Sequence, residues 1–344
     1  MPPRVSVVLP AFNAAATIAA AVESIRNQTL TDWELIVVDD GSTDATADIV
    51  AAIARVDERV TLRREPHRGV ADAANTALTA ARGEFVARMD ADDVALPARL
   101  ARQAEFLESP VNAAVGVVSS LVTFGGDRAT REGYARHVDW LNTLVTPEAV
   151  ALNRFIESPV ANPSVMFRRE LVARHGAFLA GDFPEDYELW LRWLDAGVRI
   201  AKLPEVLLQW NDPPTRITRN DPRYAPEAFF RAKAPWIARE LARLERRHGP
   251  RDIFVWGAGR HTRKRAAHLA AQGVRVAGYI DVDAKKTGRG LGGTGVPVLA
   301  EAAVPPPGKL RVLGYVTTWG ARDYIRASLT TRGYVEGADF LMCA

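Results

Sequence analysis

Apolar residues follow two rhythms along this chain, and their alternation predicts the fold. Val5–Leu9 (VSVVL) and Glu34–Val38 (ELIVV) are nearly unbroken apolar runs of strand length, the pattern of strands buried on both faces. Between them Ile18, Val22 and Ile25 recur at helical spacing, with Thr17 placed to cap a helix running to about Asn27. DDGSTD then turns the second strand into a helix from about Thr43, and VTLRR (Val60–Arg64) gives a weaker third strand. A helix over Val70–Ala81 and a fourth strand over Phe85–Met89 follow. This alternation predicts an α/β fold whose mostly parallel sheet carries helices on both faces. Crossovers in such sheets share one hand, so the strand ends gather on one edge, where ligands bind.

Further on, Val198–Trp210 reads as one or two short strands, and Pro-rich Asn211–Tyr224 as a loop. Pro226–His248 reads as a helix leading out of the first domain. A buried-strand pattern begins afresh at DIFVW, passes through the glycine turn GAG and a helix, and ends a second strand, VRVAGYID, at Asp281. That is half of a dinucleotide-type fold. Leu310–Val316 gives a later strand, and the C-terminal end reads as a helix followed by a closing strand or turn. The glycine loop Gly288–Gly295 is expected to be flexible. The organisation expected is a first domain over 1–225, a connecting helix over 226–249 and a smaller Rossmann-like domain over 250–344.

Composition narrows the class. With 344 residues the chain is long enough for two domains, and 48% apolar with 25% charged residues is ordinary for a soluble globular protein. Nothing approaches 18 continuous apolar residues, so no transmembrane helix is expected. MPPRVSVVLP lacks a signal peptide's layout. The single cysteine, Cys343, excludes an internal disulfide and a cysteine zinc site. These points together imply a cytoplasmic protein. Net charge is +3, yet from Pro250 onward there are 14 Lys and Arg against 7 Asp and Glu. This asymmetry fits a tail that meets something anionic, such as lipid phosphates at a membrane surface, and equally a solvated basic face. It gives no reason to expect nucleic acid.

The densest candidate chemistry is FVARMDADD, Phe85–Asp93, where Asp90, Asp92 and Asp93 follow a strand within four residues. Carboxylates so close repel unless a cation or solvent screens them. Mg²⁺ is commonly held by one or two carboxylates together with a substrate's phosphates. The competing reading is a solvated acidic turn. Asn13 past strand one and Asp39–Asp40 at the end of strand two should converge on the same edge.

PAFN, VVDDGSTD, ARGEFVARMDADD, NPSVMFRRELV (Asn162–Val172) and FPEDYELWLRW (Phe183–Trp193), taken in order, resemble a family 2 glycosyltransferase of GT-A fold over residues 4–215. The resemblance implies transfer of a sugar from a nucleotide-diphosphate donor, most simply a UDP-sugar, to a glycan or lipid-linked acceptor hydroxyl in cell-surface glycan synthesis. It implies that Pro10, Ala11, Phe12, Asn13, Asp39, Asp40, Asp90 and Ala91 line the donor, with Asp40 facing the base. Asp92 would hold Mn²⁺ or Mg²⁺ on the diphosphate, assisted by Asp90 and Asp93. Asp186, paired with Glu185, would be the general base of a single, inverting displacement. Glu185 and Asp186 also suit the positive end of a helix starting at YELWLRWL.

Arg216 and Arg219 lie in the Pro-rich loop, placed either to close over a diphosphate or to tie a surface loop through Arg–Asp pairs. Three positions depart from the family's habit. Asn162 stands where many members have His, Phe12 replaces a frequent Tyr, and Leu189 breaks the QxxRW of processive synthases. Trp190 and Trp193 read as core or cleft wall. The tail resembles small Rossmann-like domains appended to bacterial sugar-modifying enzymes. Gly257 and Gly259 fit the first two glycines of GxGxxG, but Thr262 occupies the third. Gly257, Gly259 and Asp281 therefore either bind a ligand or make tight turns. Two alternatives stay open: an NAD-dependent sugar-nucleotide oxidoreductase or epimerase acting through the tail, and a non-catalytic nucleotide-sugar-binding protein.

Overall fold

The apolar runs at the front of the chain become neighbouring strands in one half of an eight-stranded sheet in the computed structural model, which describes residues 2–213, 216–288 and 295–344. Its strands are β1 (Val5–Ala11), β2 (Trp33–Asp39), β3 (Val60–Arg64), β4 (Phe85–Arg88), β5 (Val94–Ala95), β6 (Val115–Phe124), β7 (Met166–Arg168) and β8 (Arg199–Trp210). They lie in the order β3-β2-β1-β4-β7-β6-β8-β5. The first four pair in parallel, β7 runs antiparallel between β4 and β6, and β6 is again parallel to β8. Val198–Trp210 thus forms one long strand rather than two.

Side-chain alternation along these strands splits the core in two. Val5, Val7 and Leu9 pack with Ile18, Val22, Ile25 and Val50 on one face. Val8, Ile36 and Val38 pack with Ala71, Ala74 and Ala77 of the helix Val70–Ala80 on the other. Trp190 and Trp193 are fully buried in this second cluster, edge to face, so they are core. The sheet is therefore covered on both sides, as two-faced apolar strands require. Thr17 does precede the first helix, Ile18–Arg26, but its hydroxyl donates to the Ala14 carbonyl at 3.3 Å instead of capping.

The chain forms two compact units: Met1–Ala151, Pro159–Gly181 and Glu188–Asp221 in one, and Leu152–Ser158, Asp182–Tyr187 and Pro222–Ala344 in the other. The second holds a smaller, all-parallel sheet of β9 (Asp252–Trp256), β10 (Val276–Asp281), β11 (Val298–Ala300), β12 (Leu310–Gly314) and β13 (Phe340–Met342). Its order is β11-β10-β9-β12-β13, so the chain reverses direction across the sheet between β9 and β12. The helix Pro226–His248 belongs to this unit and buries Phe230, Ala234, Ile237, Leu241 and Leu244 along one stripe. Lys233 is buried on the same stripe, donating to the carbonyls of Phe155, Ile156 and Cys343 at 2.8, 3.0 and 2.8 Å. Burial pushes its ammonium down to about 7. Of the glycine loop 288–295, residues 289–294 lie outside the described residues. Among the described residues, no helix is long and apolar enough to cross a membrane.

Candidate active site

The first two strands deliver their ends side by side, with Ala11 in register with Asp39. The loops beyond are laced together. Asn13 takes a left-handed φ of 47°, a conformation Asn tolerates better than most residues. Its side-chain oxygen accepts the Thr43 N–H at 2.9 Å, while its own N–H donates to the Ser42 hydroxyl at 2.9 Å. Ala14 and Ala15 donate in turn to Thr46 Oγ1 and Asp44 Oδ2 at 2.7 and 3.0 Å. Phe12 is left exposed at the tip, stacked on His67 with ring centroids 4.1 Å apart.

Asp40 is buried beneath that stack. Its carboxylate accepts the N–H groups of Arg68 and Gly69 at 2.8 and 2.9 Å, and His67 Nδ1 lies 2.9 Å from Oδ2. A side chain at Gly41 would collide with the His67 backbone at 2.7 Å, and φ there is +73°, so glycine is needed for this close approach. Asp40 also lines a cavity of about 190 Å³ with Glu65, Arg68, Asp72 and Thr76. Asp39 is buried too, and its Oδ1 has no hydrogen-bond partner among the described residues.

The acid cluster sits past β4. Carboxylate oxygens of Asp90, Asp92 and Asp93 all lie within 4.8 Å of one another. Asp90 is paired at 2.7 Å with Arg88, which is itself buried in the strand. Asp93 is buried; its Oδ1 accepts the Asn211 N–H at 2.8 Å and its Oδ2 has no partner among the described residues. The Asn211 amide also donates to the Asp92 carbonyl at 2.7 Å, so the end of β8 clamps the acidic turn. Burial, then the neighbouring Asp90 charge, pushes the Asp92 carboxyl up to about 6. Burial followed by the charges of Asp92 and Asp90 holds Asp93 well above the usual carboxylate range.

Arg216 partly offsets this charge. Its guanidinium is boxed by the rings of Trp210 and Tyr134, 4.7 and 4.9 Å from their centroids, and hydrogen-bonds the Tyr134 hydroxyl. Arg219 is tied to Asp212. Arg216 and Arg219 are thus both engaged within the protein. Residues 214 and 215 between them and Asp212 lie outside the described residues.

Glu185 and Asp186 lie in the second unit, at the start of the helix Glu185–Asp195. Glu185 is buried and accepts the Tyr224 hydroxyl at 2.6 Å, while Asp186 Oδ1 accepts the Tyr187 N–H at 2.7 Å. Burial, then the charges of Glu185 and Asp186, holds the Tyr224 hydroxyl far above its ordinary value, so it stays a donor. Farther along, Gly257 has φ +109° and Ala258 donates to Asp281 Oδ2 at 2.8 Å. Asp281 Oδ1 accepts the Asp283 N–H at 2.9 Å. Asn162 is buried in the first unit.

Five participants carried no local sequence signal: His67, Arg88, Tyr134, Asn211 and Tyr224. Each meets its partner across the fold or, for Arg88, hides a charge inside a strand.

Residues 6–176 match the family model described as Glycosyl transferase family 2. The Bacillus subtilis protein EpsE, described as a glycosyltransferase, is 30% identical over 210 residues, covering 60% of this chain and 72% of that one. The chain belongs to glycosyltransferase family 2. Another family relative is TuaG of Bacillus subtilis, described as a teichuronic acid biosynthesis glycosyltransferase. It is 29% identical over 248 residues, 70% of this chain and 90% of its own. An uncharacterized glycosyltransferase of Haemophilus influenzae is 29% identical over 212 residues; the match covers 60% of this chain and 65% of that protein.

Among solved structures, the mannosyltransferase PcManGT from Pyrobaculum calidifontis, in complex with GDP-Man and Mn²⁺, superposes with a TM-score of 0.50 at 28% identity. It covers 72% of this chain and 65% of that one. S. aureus TarS 1-349 gives a TM-score of 0.53 at 22% identity over 70% and 65% of the two chains, a likeness of fold. The eight-stranded, mostly parallel sheet is accordingly GT-A-like, and the second, smaller parallel sheet lies in the C-terminal region.

Proposed function

We propose that this family 2 chain moves a sugar from a nucleotide-diphosphate donor to an acceptor hydroxyl by a single, inverting displacement. The observation that carries the reading is the cluster of Asp90, Asp92 and Asp93, with one buried oxygen unpartnered and two carboxyls held above their ordinary range. An all-oxygen, electrostatically unfavourable donor set of this kind fits a hard divalent cation. Asp92 would hold Mn²⁺ or Mg²⁺ with help from Asp90 and Asp93, and the bound ion would supply Lewis-acid neutralisation of the departing diphosphate.

The chain's own residues account for the rest. Asp40 and Phe12 hold the base of the nucleotide, on ground that the Arg68 and Gly69 N–H groups make rigid. Asp186 takes the proton of the attacking hydroxyl, the role a positioned carboxylate serves in displacement of this kind. Glu185, bonded by Tyr224, keeps its neighbour's helix start in place. A UDP-sugar is the donor class named by the resemblance. The neighbouring structure with GDP-Man supports a nucleotide-sugar in general. Cell-surface glycan synthesis is the setting favoured by relatives such as TuaG. The C-terminal unit is read as a Rossmann-like domain on its parallel 3-2-1-4-5 strand order.

A screen of nucleotide-sugars by thermal shift with manganese present tests this reading. The expected result is stabilisation by one donor class and slow hydrolysis or transfer that Asp92→Ala abolishes. Turnover unchanged in that variant would overturn it.

A further inference from the structure

We propose that the strand-end edge of the C-terminal sheet is a docking surface for an anionic lipid bilayer. The loop after β9, the described residues 282–288 after β10 and the loop after β12 lie on this edge. Ala258 after β9 donates to Asp281 at the end of β10 at 2.8 Å. Arg265 Nη1 donates to Thr317 Oγ1, beyond β12, at 3.0 Å. The added Cβ of any residue replacing Gly257 would lie 2.8 Å from Val316, so the first and third loops abut.

The edge combines two kinds of exposed side chain. The helix Arg260–Ala270 contains no acidic residue, and Arg260, His261, Arg263 and Lys264 on its first turns are exposed. Glu227 approaches Lys264, Arg265 and His268 at 3.7, 3.5 and 3.8 Å, leaving Arg260 and Arg263 without an acidic partner among the described residues. Lys285 in the loop after β10 is exposed as well. Two apolar side chains in the loops of the same edge are turned to solvent, Val282 at 61% and Trp319 at 71% exposure, and Asp283 beside Val282 lies 3.5 Å from Lys286.

Cations alone would suit any polyanion. An exposed indole and a valine on the same edge favour an interface where apolar groups enter the acyl boundary while cations meet headgroup phosphates. The excess of seven positive charges after residue 249, from 14 basic and 7 acidic residues, adds long-range attraction of the same sign. Held at such a surface, the chain would meet an acceptor carried on lipid. The proposal does not depend on which sugar is transferred.

The test is co-sedimentation of the full chain with vesicles of phosphatidylcholine alone and of phosphatidylcholine with phosphatidylglycerol, at low and high salt. Binding is expected only to the phosphatidylglycerol vesicles and should weaken at high salt. Arg260→Gln and Arg263→Gln should each cost about fivefold in partitioning, the effect of about one cation near an anionic surface. Trp319→Ser should cost several-fold at either salt concentration, and donor-induced thermal shifts should be unchanged in all three variants. Equal binding to both vesicle types, or none to either, would overturn the proposal. So would loss of binding to a soluble anionic polysaccharide in the arginine variants with no effect of Trp319→Ser on vesicles, which would assign the edge to a polyanion. Melting temperatures of the variants matched to the parent keep a folding defect from being read as lost binding.

Discussion

Asp281, at the end of β10, has both oxygens occupied: the N–H groups of Ala258 and Asp283 donate to it, and Lys286 stands 3.3 Å away. Burial alone would raise this carboxyl, but those donors win and hold it below its ordinary value. At the acid cluster beyond β4 the outcome is reversed, whereas Asp40 at the end of β2 has both oxygens occupied by the N–H groups of Arg68 and Gly69. Asp93 buries an oxygen with no partner among the described residues, and Asp92 is pushed up to about 6. The same topological place thus carries a carboxylate that closes its own turn in one unit, and carboxylates left short of positive charge in the other. An acid satisfied by its own loop fastens structure, whereas acids crowded beyond their donors are an electrostatic cost that a ligand can relieve. This is why the metal and donor are assigned to the first sheet, and why no dinucleotide role is built on Asp281.

The sharpest break of that comparison is a pair of matched substitutions. Asp92→Ala should lower sugar transfer about a thousandfold or more, because it removes the main carboxylate that would hold the cation. Asp281→Asn should leave transfer within about twofold while costing about 1–3 kcal/mol of stability through its lost acceptors. Equal loss of transfer in both variants would erase the distinction. Next in size, Asp186→Asn should slow transfer by about a hundred- to ten-thousandfold with little change in donor affinity. Single-turnover rates alongside donor titrations separate those two quantities.

The two edges should also differ in pH response. The folded Asp92 carboxyl, at about 6, lies above its unfolded value, so its contribution to stability is full below about pH 4 and is lost as pH rises through 6. Metal-free protein should therefore lose part of its stability between about pH 4 and 6, and Asp92→Asn should flatten that slope. Asp281 is depressed, so its contribution is present above its unfolded value and lost only as pH falls through the lower folded one. Denaturant midpoints with a chelator present, measured for both variants against the parent, check these opposite signs. Tyr224→Phe, which removes the hydroxyl bonded to Glu185, should cost about 1.5–3 kcal/mol of stability, the range for a hydrogen bond to a charged group.

How much of this was readable beforehand depended on how local each signal was. β1, β2 and the helix Val70–Ala80 follow from runs and spacings within a few residues. The acid cluster was legible because its three members sit within one turn, and Asp40 because it closes a strand. β6, Val115–Phe124, was missed although it is an apolar run; Ser119 and Ser120 interrupt it, and both are buried, with Ser119 bonded to Ser164 across 45 positions. β7 has only three residues and pairs antiparallel on both sides, too short for any period to register. Arg88 looks like a surface charge in sequence, but Asp90 two residues on lets it be buried. Asn211 reaches the acidic turn from 118 residues away, and no local pattern could announce that contact.

The central claim is that Asp90, Asp92 and Asp93 form a cation site rather than a solvated acidic turn. Calorimetric titration of manganese alone into metal-free protein at neutral pH, for the parent and for Asp92→Asn, tests it most directly. One saturable site is expected in the parent, removed by Asp92→Asn and left intact by Asp281→Asn. Absence of saturable binding, or binding that persists undiminished in Asp92→Asn, would contradict it.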